Sequence, residues 1–80
     1  MAGREKTFKY PIAVKLGRAI EARRKTRKMS QEKLAEMSDL SRAYMGCVER
    51  GEYTASLLTL EKIAKALKWT LADMFLSADV

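Results

Sequence analysis

Residues that commonly carry catalysis are scarce in this sequence. There is no histidine, and Cys47 is the one cysteine. No glycine-rich loop is spaced to cradle a phosphate, so no catalytic constellation can be assembled and an enzyme is not expected. Cys47 lacks a partner for an internal disulfide and a histidine to share a zinc site, so no metal or other cofactor is implied. What remains is recognition by shape, charge and hydrogen bonding, and the stretch Ser41–Arg50 is suited to it. If Met45 and Val48 face inward on a helix, then Arg42, Ala43, Gly46 and Cys47 face elsewhere. That outer face is small apart from Arg42. Small side chains let a helix backbone come close to a duplex, and an arginine fork matches the paired acceptors of guanine in the major groove.

The charge pattern points the same way. Residues 1–28 carry ten basic side chains against Glu5 and Glu21, a segment charge of +8. The remainder, with six basic and eight acidic residues, is −2. A one-sided basic field concentrates polyanions, and phosphate contacts by Lys and Arg release condensed counterions. A solvated basic surface is the plain alternative for this segment.

The elements that must position Arg42 read as five helices in one small domain, with residues 1–10 as a basic N-terminal arm. Pro11 suits a first helical turn, and Ile12, Leu16 and Ile20, flanked by Ala13, Ala19 and Ala22, predict an apolar stripe on a helix over about 11–25. Ser30 is an N-cap for a helix over 31–37, with Leu34, Ala35 and Met37 on one face. Ser41 is an N-cap opening the 41–50 helix, and Gly51 just beyond it suits a left-handed cap. Ser56 caps a 56–67 helix bearing Leu57, Leu60, Ile63, Ala64 and Leu67, while Thr70 with Asp73 resembles a capping box for 71–76. No stretch alternates with period two, so strands are not expected. Met29, Met37, Met45 and Met74 read as core filling. A chain this short without staples relies on packed helices, helped by a partner subunit. With no run of eighteen apolar residues and no apolar signal core, it reads as soluble and cytoplasmic, without membrane contact.

Two short helices joined by Ser38-Asp39-Leu40 form the local pattern of a helix-turn-helix. Ala35 is small where the helices cross, and Asp39 occupies a turn position that favours positive φ. From Leu34-Ala35-Glu36 through Ser41-Arg42-Ala43-Tyr44-Met45-Gly46-Cys47-Val48-Glu49-Arg50-Gly51 the chain resembles the phage-repressor and Cro-like helix-turn-helix regulators, the XRE family. The likeness continues through Ser56–Leu67 and Leu71–Phe75, covering about residues 12–76; Asp39 stands for the family's usual turn glycine and Ala55 for a frequent proline. It implies an all-α, five-helix, lambda-repressor-like domain that binds double-stranded DNA.

The resemblance also implies roles. Gln31 is similar to a glutamine that contacts phosphate and buttresses the recognition helix. Ser41, Arg42, Ala43 and Cys47 match positions facing bases or the adjacent backbone, and Tyr44 matches residues that touch phosphate or a thymine methyl. Arg50, Tyr53 and Thr54 match the loop that approaches the sugar-phosphate strand, while Arg24 and Glu49 match a partly buried structural ion pair. Dull rivals exist: Arg42 as an ordinary surface arginine, Tyr44 as a core cover, Cys47 as an inert small residue rather than an oxidation sensor. Trp69, Leu71, Met74, Phe75 and Leu76 exceed what a small core needs, and those that do not cap the core are expected to make a two-fold dimer contact. Two recognition helices would then lie roughly 34 Å apart on a near-palindromic operator. The expected function is a homodimeric transcription regulator that blocks or recruits RNA polymerase. Stand-alone restriction–modification controller proteins share the Arg42-Ala43-Tyr44 and Val48-Glu49-Arg50-Gly51 elements, and phage-type repressors remain open. The rival is an antitoxin or other protein-interaction module whose DNA binding is secondary.

Overall fold

Among the described residues, four of five helices begin at a hydroxyl residue that bonds back to its own first turn. The computed structural model describes residues 10–80, and the reading of residues 1–10 as an arm lies, apart from Tyr10, outside them. The helices are α1 (Pro11–Thr26), α2 (Gln31–Met37), α3 (Arg42–Glu49), α4 (Leu57–Ala66) and α5 (Leu71–Ala78). The hydroxyls of Ser30, Ser41, Ser56 and Thr70 accept from the backbone N–H of Lys33, Tyr44, Thr59 and Asp73, filling otherwise orphaned donors. At Thr70 the box is reciprocal, because its N–H donates to the Asp73 carboxylate at 3.1 Å. α1 has no side-chain cap and opens on Pro11 instead.

Every helix ends the same way. The residue two past the last helical one has positive φ: Lys28 at 58°, Asp39 at 59°, Gly51 at 76°, Lys68 at 61°, and Asp79, one past α5, at 62°. The following N–H then reaches back five residues, as in Met29 to the Arg24 carbonyl (3.0 Å), Leu40 to Ala35 (2.9 Å) and Trp69 to Ala64 (2.8 Å). This is the Schellman arrangement, and its usual apolar partner after the turn is present as Met29, Leu40 and Trp69, all packed against the core. Among the described residues no helix is long and apolar enough to cross a membrane.

The core runs through Ile20, Leu34, Ala35, Met45, Val48, Leu60, Ile63, Ala64, Leu67 and Met74. α1 packs on α3 and α5, α2 on α3 and α4, and α4 meets α5. Ala35 is buried where α2 lies against its neighbours. The buried face of α1 differs from the expected stripe. It is Ala13, Gly17, Ala19, Ile20 and Arg24, while Ile12 is 52% exposed and Ala22 faces solvent. Leu57 is likewise exposed, because the first turn of α4 projects beyond the core, and Met37 is half-exposed at the end of α2.

Candidate nucleic-acid interface

α3 is short, and one end of it is pinned by two devices. The first is steric. A Cβ on Gly17 would land on the Val48 and Glu49 carbonyl oxygens, so α1 crosses the end of α3 at backbone contact. The second is polar. Arg24 Nε donates to Glu49 Oε2 at 2.7 Å and Nη2 to Oε1 at 3.1 Å, a two-pronged pair that is nearly buried on both sides. Arg24 Nη1 also donates to the Met29 carbonyl at 2.9 Å, which ties the pair to the α1–α2 turn. Gln31 Nε2 donates to Glu49 Oε1 at 2.9 Å, joining the start of α2 to the end of α3. The bond to Glu49 raises the Arg24 pKa further above its already high ordinary value, outweighing the opposing effect of burial. With one charge and several donors converging on one carboxylate, α3 cannot slide or roll independently of α1 and α2.

The opposite end of α3 is open. Ser41, Arg42 and Ala43 are exposed, and among the described residues Arg42 meets no carboxylate or carbonyl. Tyr44 is half-buried against the core, and its ring stacks on Tyr53 with centroids 5.7 Å apart and planes 25° from parallel. The loop after α3 is thereby brought beside the first turn of α3, and Thr54 follows it on the surface.

The middle of α3 is not bare. Gly46 is buried rather than outward-facing, because the side chains of Gln31 and Arg50 lie over it: a Cβ there would sit 3.1 Å from Arg50 Nη1 and 3.6 Å from Gln31 Oε1. Arg50 Nη2 contacts Cys47 Sγ at 3.6 Å. The same guanidinium grips Glu52, with Nε to Oε2 at 2.8 Å and Nη2 to Oε1 at 3.3 Å. That carboxylate is the main cause of a raised Arg50 pKa.

A family model described as "Helix-turn-helix" matches residues 20–73. The chain belongs to that family. As a helix-turn-helix DNA-binding regulator it is similar to several named proteins. The control protein C.MunI of Mycoplasma sp is 37% identical over 65 residues, 80% of this chain and 88% of the relative. An immunity repressor protein of Bacillus phage phi105 is 50% identical over 52 residues, which is 65% of this chain but 36% of the repressor. This chain therefore spans about a third of the repressor's length. The crystal structure of the restriction-modification controller protein C.AhdI from Aeromonas hydrophila superposes with a TM-score of 0.80 at 39% identity. The likeness covers 82% of this chain and all of C.AhdI.

In this helix-turn-helix protein, α2 and α3 are the motif, and the structure gathers Gln31, Ser41, Arg42, Ala43, Tyr44, Cys47, Arg50, Tyr53 and Thr54 onto the start of α2, the end of the turn, α3 and the loop that follows. The apolar tail is not gathered. Met74 is wholly buried in the core cluster, so it has no surface to give to a dimer contact, which corrects its assignment there. Trp69 lies under Arg23, whose guanidinium carbon is 5.2 Å from the ring centroid. Leu71 shares a depression with Trp69. Phe75 instead lines an apolar groove of about 210 Å³ with Ile12, Tyr53, Leu57 and Leu60. Leu76 is 78% exposed.

Three contributors have no place in the sequence reading. Gly17 looks like an ordinary weak spot in a helix. Arg23 donates to the Leu67 carbonyl at 3.1 Å and the Lys68 carbonyl at 3.4 Å, capping the negative end of α4. Glu52 occupies Arg50; its only sequence signal is an acid two residues after a base.

Proposed function

We propose that the protein occupies a near-palindromic operator in double-stranded DNA as a homodimer and controls transcription there, as a restriction–modification controller does. The observation that carries this reading is the exposed Arg42, without a hydrogen-bond or ion-pair partner among the described residues, in the first turn of an α3 whose other end is locked by Arg24, Gln31 and Glu49. A helix held this firmly presents its first turn to base edges with little ordering left to lose on binding. Arg42 is assigned to a guanine edge, with Ser41, Ala43 and Cys47 beside bases or the adjacent strand. Gln31, Tyr44, Arg50, Tyr53 and Thr54 are assigned to the sugar-phosphate backbone. The likeness to C.AhdI over its whole length and to C.MunI supports the controller assignment.

The dimer contact is assigned to the groove face rather than to the whole tail. Ile12, Leu57, Leu60 and Phe75 line the groove, and Ile12 and Leu57 are each more than half exposed. Apolar side chains at that density call for a partner. Two-fold pairing sets the recognition helices about one DNA turn apart. Bound beside a promoter, the dimer would block RNA polymerase or contact it. The reading assigns no catalytic step and puts the protein in the cytoplasm with the DNA. Footprinting upstream of the protein's own gene, combined with sedimentation of free and bound protein, tests it. Two protomers on one symmetric footprint are expected. A monomer at tens of micromolar with no footprint would instead favour the protein-interaction alternative, with the groove serving a different polypeptide.

A further inference from the structure

Arg50 sits at the end of α3 with a carboxylate already in its fork. The two bonds to Glu52, from Nε and Nη2, take up one of the two guanidinium edges that can grip a phosphate in a two-pronged contact, and Nη2 is shared by both edges. The plane of Arg50 lies over Gly46 and beside Cys47, on the helix face that the proposed interface uses. Arg50 is exposed and Glu52 only half-buried, so water and salt reach both groups. No buried charge would be stranded by parting them. A phosphate approaching Arg50 therefore meets a neutralised cation and a second anion.

We propose that Glu52 sets the protein's affinity for the DNA backbone by competing with phosphate for the Arg50 guanidinium. The inference rests on the reading that Arg50 faces the DNA strand. In the free protein Glu52 stands in for a phosphate, so forming the Arg50 contact costs one internal ion pair. Binding of DNA in general is held down, while base reading by Arg42, at the other end of α3, is untouched. For a regulator, weaker backbone affinity leaves more of the total discrimination to base contacts.

The test uses the full chain and a 24-base-pair duplex of arbitrary sequence, since phosphate contacts carry no sequence information. Affinity is measured by fluorescence anisotropy over a range of salt concentrations for wild type, Glu52→Gln, Arg50→Ala and the double variant. Glu52→Gln keeps the side chain's shape, and thermal unfolding of each variant checks the fold. Glu52→Gln should bind roughly tenfold tighter at ~0.1 M salt, with the slope of log affinity against log salt steeper by about 0.9, the signature of one added phosphate contact. In the Arg50→Ala background the same change should have little effect. An equal gain with and without Arg50 would reduce Glu52 to a contributor to the overall field and overturn the proposal. Weaker binding by Glu52→Gln would also overturn it, by showing that Glu52 positions Arg50. Absence of any binding by wild type at low salt would refute the DNA-facing assignment itself.

Discussion

Gly17→Ala should destabilise the protein, although alanine is the better helix former. Propensity alone would make the variant more stable by roughly 1 kcal/mol, because glycine in a helix interior loses the most backbone freedom. Packing opposes this. The new methyl would fall on two backbone carbonyl oxygens of α3 and lie 2.8 Å from the Glu49 carbonyl carbon. Ordinary carbon–carbon contact is about 3.5–4.0 Å, so α1 and α3 must part by about 1 Å. Flexible side chains cannot absorb that shift, since the obstructing atoms are main chain. Overpacking typically costs about 1–3 kcal/mol, and backbone overlap belongs at the upper end. The net loss is therefore about 2 kcal/mol, a fall in Tm of about 8–16 °C for a domain of this size. Thermal unfolding followed by circular dichroism reads this directly. Ala22→Gly, on the solvent face of the same helix, calibrates the propensity scale and should cost about 1 kcal/mol. Both substitutions then destabilise, one by adding a methyl and one by removing it. A Gly17→Ala protein as stable as wild type or more so would refute the backbone contact that sets α3 against α1.

Other substitutions probe the remaining supports. Arg24→Ala leaves the Glu49 carboxylate nearly buried with Gln31 alone, and should lose about 3–5 kcal/mol in urea denaturation, with DNA binding lost through unfolding rather than recognition. The raised Arg24 pKa means the guanidinium's contribution is fully present below its unfolded value and fades only as pH climbs through the folded one, so titration from neutral to moderately alkaline pH should not release it. Ser38→Ala removes a buried hydroxyl with no hydrogen-bond partner among the described residues, and should be neutral or stabilising by up to about 1 kcal/mol. A clear loss of stability in that variant would reveal a partner for the hydroxyl, such as a bound water.

Local chemistry made most of the fold legible. Ser30, Ser41, Ser56 and Thr70 announce helix starts because each hydroxyl bonds within its own first turn, whatever the tertiary setting. Asp39 and Gly51 mark two ends for the same reason, since both tolerate positive φ. Lys28 and Lys68 take that conformation without advertising it; there the apolar residue that follows, Met29 or Trp69, is the clue. Apolar spacing proved less informative about burial. Ile12 and Leu57 keep the helical period yet stay exposed, because periodicity identifies a face and not what covers it. The Arg24–Glu49 pair was visible through family likeness, whereas its coupling to Gln31 and Met29 depends on how three elements meet. Gly17 and the Arg50–Glu52 pair were illegible for similar reasons: one is a distance between helices, the other a side-chain conformation.

The central claim is that the first turn of α3 reads bases through Arg42. It is tested most directly by the affinities of wild type and Arg42→Ala for a footprinted operator and for an arbitrary duplex of equal length. Arg42→Ala should lower the preference for the operator by about 1–3 kcal/mol, or about five- to 150-fold, while binding of the arbitrary duplex changes little. An equal loss on both duplexes would make Arg42 a phosphate contact and contradict the assignment.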